Sequence, residues 1–184
     1  MKAIQTKLKG CFILEPTVFA DDRGYFFESY NEDKLSEILG CSPKFVQDNQ
    51  SRSSLGVVRG LHLQSGIHAQ AKLVRVIEGT VIDVAVDVRL DSPTFGEWVS
   101  VELSAENKKQ FFVPRGFLHG FSVVSDNATF FYKCDNFYNK ESENGVNPLD
   151  PELGIDWGVN IEQILLSQKD QEAQSFASFK SNLK

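Results

Sequence analysis

Several things are scarce in this sequence of 184 residues, and each scarcity removes a class of protein. There are three cysteines, Cys11, Cys41 and Cys134, far apart and without CxxC spacing, so neither a disulfide framework nor a zinc site is suggested and they read as small apolar residues. No apolar run approaches the roughly 18 residues of a membrane helix, and the opening MKAIQTKLKGCFILEP has too short an apolar stretch for a signal peptide. The expectation is a cytoplasmic protein without a membrane partner. No basic block stands against the net charge of −6, which makes nucleic acid a poor partner. Repeats, low-complexity tracts and Pro/Gly/Ser linkers are also missing, so residues 1–184 are expected to form a single domain.

What is present is a core-forming composition. Hydrophobic residues make up 41% of the chain, with 15 Phe, against 24% charged residues, the profile of a globular fold. Period-2 alternation with β-branched and aromatic residues recurs in GYFFESY (24–30), VVRGLHLQ (57–64), AKLVRVIEG (71–79), TVIDVAVDVR (80–89), EWVSVEL (97–103), KQFFVP (109–114), HGFSVVS (119–125) and ATFFYKC (128–134). Turn signals such as EGT, DSPTFG, PRG and SDN separate them, which indicates an antiparallel sandwich or barrel. Helix is expected in NEDKLSEILG, opened by Asn31 as N-cap and closed by Gly40, and again beyond Asn160. The fold class is mainly β, a cupin-like jelly-roll barrel with a few short helices.

Alternation also assigns faces. His62 and Gln64 share a face with Val58 and Gly60, and Arg59 falls on the other face unless Gly60 permits a bulge. Lys72 lies with Val74 and Val76, His119 with Phe121 and Val123, and Tyr132 with Phe130 and Cys134. Any one of these alone is more often a satisfied core or rim residue than a catalyst. Lysine is almost never fully buried unpaired, and Asp83 is its candidate partner, in which case the pair is a structural ion pair. The coincidence of several such groups is what points to a site.

PRGFLHGF (114–121) resembles the second cupin motif, with Pro114, Gly116 and His119 matching PxGxxH. The first cupin motif supplies HxH and a glutamate seven residues before a glycine, and here those positions read His62-Leu63-Gln64 and Lys72. An ammonium at a ligand position repels a cation, so no bound metal and no cofactor are expected.

Over nearly its full length the chain resembles the dTDP-4-dehydrorhamnose 3,5-epimerases, through DDRGYFFE (21–28), QDNQSRSS (47–54), VVRGLHLQ, AQAKLVRVIEGTVIDVAVDVRLDSPTFGEW (69–98), VPRGFLHGF (113–121), YKCDNFY (132–138), DPELGIDW (150–157) and LSQKD (166–170). The resemblance implies His62 as catalytic base, Asp170 as the group that orients it, and Tyr132 as acid on the opposite face of the sugar. It places Lys72 and His119 near the substrate carbonyl. Arg23, Glu28, Gln47, Asp48, Asn49, Arg59, Glu143 and Lys169 are then implied to contact nucleotide, pyrophosphate or sugar, and Tyr138 to stack on thymine. Arg23 and Glu28 would come from a partner subunit, which implies a homodimer with an exchanged N-terminal strand. His68, in a loop where relatives more commonly carry proline, is expected to be exposed.

The chemistry asks for such a set. In a 4-ketohexose the C3 and C5 protons are both α to one carbonyl, so removing either puts negative charge on the C4 oxygen. A base, an oxyanion stabiliser and a proton source on the other face are needed. Imidazole suits the first role, and a cation beside apolar walls suits the second, a contribution often worth roughly 3 kcal/mol per donor. Two other readings stay open: a C3-only epimerase of a related nucleotide-linked ketosugar, and a metal-dependent cupin oxygenase. A sugar-binding module without catalysis is a third.

Overall fold

A computed structural model of the chain describes residues 1–183. In chain order its strands begin with β1 (Lys2–Gln5), β2 (Phe12–Glu15), β3 (Val18–Asp21), β4 (Gly24–Phe27), β5 (Gln47–Ser54), β6 (Val58–Gln64) and β7 (Lys72–Glu78). They continue with β8 (Thr80–Asp87), β9 (Trp98–Ser104), β10 (Gln110–Val113), β11 (Phe117–Val123), β12 (Asn127–Cys134) and β13 (Glu143–Gly145). Three short helices accompany them: α1 (Glu32–Leu39), α2 (Gln168–Gln171) and α3 (Phe176–Asn182). The fold is mainly β, a jelly roll of two sheets, one in the order β1-β2-β10-β7-β12-β5 and the other β13-β6-β11-β8-β9.

Period-2 alternation builds the interior. Val74 and Val76 of β7, Val81 and Ala85 of β8, Phe117 and Phe121 of β11, and Ala128 and Phe130 of β12 turn inward and pack as one buried cluster. Phe121 and Phe130 stack across it with ring centroids 4.1 Å apart. The intervening residues face outward and are covered in turn. Val84 and Val86 of β8, with Leu61 and Leu118, lie under a C-terminal segment that contributes Trp157, Phe176 and Phe179. On the other sheet, Leu73 and Phe112 are covered by Leu35 of α1. That helix starts at Asn31, whose side chain accepts from the Lys34 backbone N–H, and stops at Gly40 with φ 67, as the residue types require.

The hairpin β3–β4 stands apart. It pairs only with itself, and Phe19, Tyr25 and Phe26 on it are 64%, 61% and 69% exposed. Five strands carry no clear alternating apolar signature, namely β1, β2, β3, β5 and β13. β5 reads QDNQSRSS, polar on both faces, because one of its faces lines a cavity rather than the core.

Candidate active site

A cavity of about 540 Å³ opens between the two sheets. One wall comes from β6 and β11, with Arg59, His62, His119 and Phe121. The facing wall comes from β5, β7 and β12, with Asn49, Ser51, Lys72, Phe130 and Tyr132. The segment around α2 closes one side with Leu165, Leu166, Lys169 and Asp170. This volume falls in the range of small-molecule sites.

Backbone geometry explains why β6 delivers two polar groups to one wall. His62 pairs with His119, yet Arg59 pairs with Phe121, so three steps on β6 span two on β11. The bulge falls at Gly60, whose φ is 133, and it brings Arg59 round to the cavity alongside His62. A side chain at Gly60 would place its Cβ 2.6 Å from Gly120 Cα, so both glycines are needed for the strands to approach. Once there, Arg59 Nε donates to Ser53 Oγ at 3.1 Å, a contact that orients the guanidinium and that sequence reading had not identified.

His62 Nε2 donates to Asp170 Oδ1 at 2.6 Å. Asp170 is 3% exposed, in the first turn of α2, and also accepts from the Gly60 backbone N–H. Burial works to raise its carboxyl, but the bonds from His62, Ser167 and Gly60 outweigh it and hold Asp170 below its ordinary value. With Nε2–H committed to Asp170, Nδ1 is the nitrogen free to take a proton.

A second histidine–carboxylate pair lies beside it. His119 Nε2 donates to Asp83 Oδ1 at 2.9 Å and to Oδ2 at 3.1 Å, and Asp83 is fully buried on β8. This corrects one expectation: Asp83 is bonded to His119, not to Lys72. Burial pushes His119 below its ordinary value and Asp83 above its own, with His119 and Lys72 drawing the carboxyl back down. Lys72, on the opposing sheet, is likewise lowered by burial. Its ammonium has no hydrogen-bond or ion-pair partner among the described residues. Tyr132 is pushed up to about 12 by burial and by neighbouring Cys134, so its phenol stays protonated across the physiological range.

The remaining residues singled out in the sequence divide into three groups. Gln47, Asn49, Tyr138, Glu143 and Lys169 form a connected rim: Lys169 Nζ lies 2.6 Å from Glu143 Oε2, Tyr138 Oη donates to the same oxygen at 3.0 Å, and Gln47 links the Tyr138 backbone to Asn49. Asp48 is not brought to the site. Period 2 turns it to the outer face of β5, where Lys133 Nζ holds it at 2.9 Å. Arg23 and Glu28 also lie outside this chain's cavity. Arg23 sits in the β3–β4 turn, bonded to Asp21, and Glu28 pairs with Lys34 at 2.7 Å.

The donor set does not fit the metal of a cupin. Among the described residues no group of three or more His, Cys, Asp or Glu is arranged to hold an ion. Gln64 is buried with its Oε1 accepting from the Asn139 backbone N–H, and Lys72 presents a cation where the motif supplies a carboxylate.

Known proteins resemble this chain over nearly its full length. The family model described as dTDP-4-dehydrorhamnose 3,5-epimerase matches residues 5–178. A dTDP-4-dehydrorhamnose 3,5-epimerase from Shigella flexneri is 51% identical over 176 residues, 96% of each chain. The crystal structure of such an enzyme from Elizabethkingia anophelis superposes with a TM-score of 0.94 at 60% identity, covering 97% of both chains. A dTDP-6-deoxy-D-glucose-3,5-epimerase from Legionella pneumophila, in complex with dTDP-4-keto-L-rhamnose, superposes at 0.92 with 49% identity, covering all of this chain and 94% of the other.

Proposed function

From the premise that this chain belongs to the dTDP-4-dehydrorhamnose 3,5-epimerase family, we propose that it inverts C3 and C5 of dTDP-4-dehydro-6-deoxy-D-glucose through an enolate, giving dTDP-4-dehydro-L-rhamnose without a metal. It is an isomerase acting on a sugar nucleotide. The observation that carries the mechanism is that His62 and Tyr132 stand on opposite sheets and line one cavity.

His62 Nδ1 takes the proton from the carbon α to the C4 carbonyl, and Asp170 stabilises the imidazolium that results. Negative charge develops on the C4 oxygen, toward which Lys72 offers unspent N–H donors. Tyr132 then delivers a proton from the other face, which inverts the centre. Repetition at the second carbon uses the same carbonyl, so one constellation serves both. Arg59 and Lys169 neutralise the pyrophosphate, Tyr138 stacks on the thymine, and Gln47, Asn49, His119 and Glu143 complete the contacts.

The exposed aromatics of β3–β4 and the absence of Arg23 and Glu28 from this chain's cavity support a homodimer in which the N-terminal hairpin is exchanged, so that each hairpin completes the other's site. Light scattering should give twice the chain mass, and replacing Phe19 and Phe26 together by Ser should give monomers with weakened nucleotide binding. Among the described residues no helix is long and apolar enough to cross a membrane. We place the reaction in the cytoplasm and read the chain as one cooperative unit.

Incubation with substrate in deuterium oxide tests the chemistry directly. Deuterium should enter at C3 and C5. Failure at both carbons refutes the mechanism, and exchange at C3 alone reassigns the protein as a 3-epimerase.

A further inference from the structure

We propose that Asp83 is a positioning residue for the reaction: its carboxylate, held by His119 and facing the opposing sheet, keeps Lys72 charged while leaving the ammonium unbound for the substrate. The inference rests on the reading of Lys72 as the group that meets the C4 oxygen.

Asp83 interrupts the inward row Val81, Asp83, Ala85 of β8 and is fully buried. A carboxylate in such a place is costly unless something compensates it. A simple structural ion pair would close the lysine directly on the carboxylate, as Lys169 closes on Glu143 at 2.6 Å. Here both oxygens of Asp83 are taken by His119 Nε2 instead, and no ion-pair contact joins Asp83 to Lys72. Charge is balanced across the cavity without using the lysine's donors.

The groups facing Lys72 can be taken element by element. Cys134 of β12 lies directly opposite it in register, and burial pushes that thiol up to about 11, so it is neutral at working pH. His119 of β11 is held below its ordinary value by burial and is also neutral. Glu143 of β13 is spent on Lys169 and Tyr138. Asp170 is spent on His62 of β6. Of the carboxylates, Asp83 and Glu143 are the two whose charge acts on Lys72, and Glu143 is closed in an ion pair with Lys169, so the uncompensated charge that falls to the lysine is that of Asp83, bonded to neutral His119. Burial lowers Lys72, while Cys134, Asp83 and Glu143 work in the opposite direction, and of the three Asp83 is the fully buried carboxylate.

Asp83→Asn separates the charge from the hydrogen bond, since the amide oxygen can still accept from His119 Nε2–H in the same space. Removing a neighbouring opposite charge lowers an ammonium pKa. In the wild type, burial lowers Lys72 while it pushes Tyr132 and Cys134 up to about 12 and about 11, so the lysine loses its proton before either of these neighbours. The alkaline limb of kcat/KM, which reports the free enzyme, then belongs to Lys72 and should move to lower pH in Asp83→Asn, with dTDP affinity unchanged. The same shift should appear in the Lys72 13Cε titration of lysine-labelled protein, assigned by its loss in Lys72→Met. Should Asp83→Asn fail to fold, the coupling is read from the other side: the Asp83 carboxyl should titrate higher in Lys72→Met than in wild type. An unmoved Lys72 midpoint in Asp83→Asn, or an unmoved Asp83 midpoint in Lys72→Met, overturns the proposal. The NMR titrations need no turnover. A wild-type protein that fails to exchange deuterium while its Lys72 midpoint follows Asp83 would remove the epimerase mechanism and leave this electrostatic role standing.

Discussion

Replacing Asp170 by asparagine should abolish turnover by switching which nitrogen of His62 carries the proton. Asp170 accepts two N–H groups, His62 Nε2 at 2.6 Å and the Gly60 backbone amide. An asparagine has one acceptor and one donor for the same two neighbours. The Gly60 N–H cannot reverse, so the amide oxygen goes to it and the NH2 faces His62. His62 must then present Nε2 as acceptor and carry its hydrogen on Nδ1, the atom proposed to take the substrate proton. The wrong tautomer and the lost stabilisation of the imidazolium together cost on the order of 10³- to 10⁴-fold in kcat, or about 4–5.5 kcal/mol of barrier. With ground-state binding proposed to rest on Arg59, Lys169 and Tyr138, KM should change by less than about threefold, the pattern of a group that acts in the transition state. The assay is steady-state epimerisation together with deuterium exchange at C3 and C5. An Asp170→Asn enzyme within tenfold of wild-type kcat, or one whose whole defect lies in KM, would refute the assignment of Nδ1 as the base.

Three further outcomes follow from the same structure. Tyr132→Phe should lower kcat by about 10²-fold or more through loss of the proton donor, with dTDP affinity retained by isothermal titration; a defect confined to KM would contradict the acid role. Asp87, fully buried, accepts from Arg89 Nε and Nη2, Ser92 Oγ and Thr94 Oγ1; burial alone would raise it, yet these bonds bring it down to about 2. A depressed carboxyl contributes stability that is present above its unfolded value near 3.8 and lost as pH falls toward 2. Asp87→Asn should therefore cost about 2 kcal/mol at pH 7, lowering a single cooperative melt by about 4–8 °C, with the difference from wild type in urea shrinking below pH 4; a penalty independent of pH would exclude the linkage. Dialysis against a strong chelator should leave activity unchanged, and stoichiometric iron or another transition metal bound through His62 and His119 would restore the cupin-oxygenase reading.

How far the sequence carried depended on how strongly period 2 was stamped on each segment. TVIDVAVDVR and ATFFYKC are dense in β-branched and aromatic residues between turn signals, and β8 and β12 lie where those runs stand. Asn31 and Gly40 bracket α1 for the same local reasons that made it legible. QDNQSRSS gave no such signal, because a strand whose inner face meets solvent and ligand has no reason to alternate apolar with polar. The site shows the same division. Lys72, His119 and Tyr132 were visible as polar groups on apolar inward faces, and all three line the cavity. Asp48 was carried along with Gln47 and Asn49 by resemblance, although strict alternation puts it on the outer face. Arg59 could be placed beside His62 only through the bulge at Gly60, which depends on the register with β11. Face was legible for Asp83, but its partner was not: choosing His119 over Lys72 requires knowing which strands are neighbours, and β8 adjoins β11, not β7.

The charges explain how one barrel can exchange a metal for proton transfer. A cupin ion gathers its ligands at one point, which suits polarising an oxygen but occupies the histidines that hold it. Here the cation is covalently part of the chain, as Lys72, and the histidines are released to separate carboxylates, His62 to Asp170 and His119 to Asp83. His62 is then oriented with one nitrogen free, a state that a metal ligand cannot hold. Inversion further requires that the acid approach from the face opposite the base, and a two-sheet barrel provides two faces without distortion: β6 carries His62 on one wall and β12 carries Tyr132 on the other. The flat sugar ring of an enolate fits between such walls. The acidic balance of the whole chain is no obstacle to an anionic substrate, because the positive groups are local: Lys72 within the cavity, and Arg59 and Lys169 along its edge.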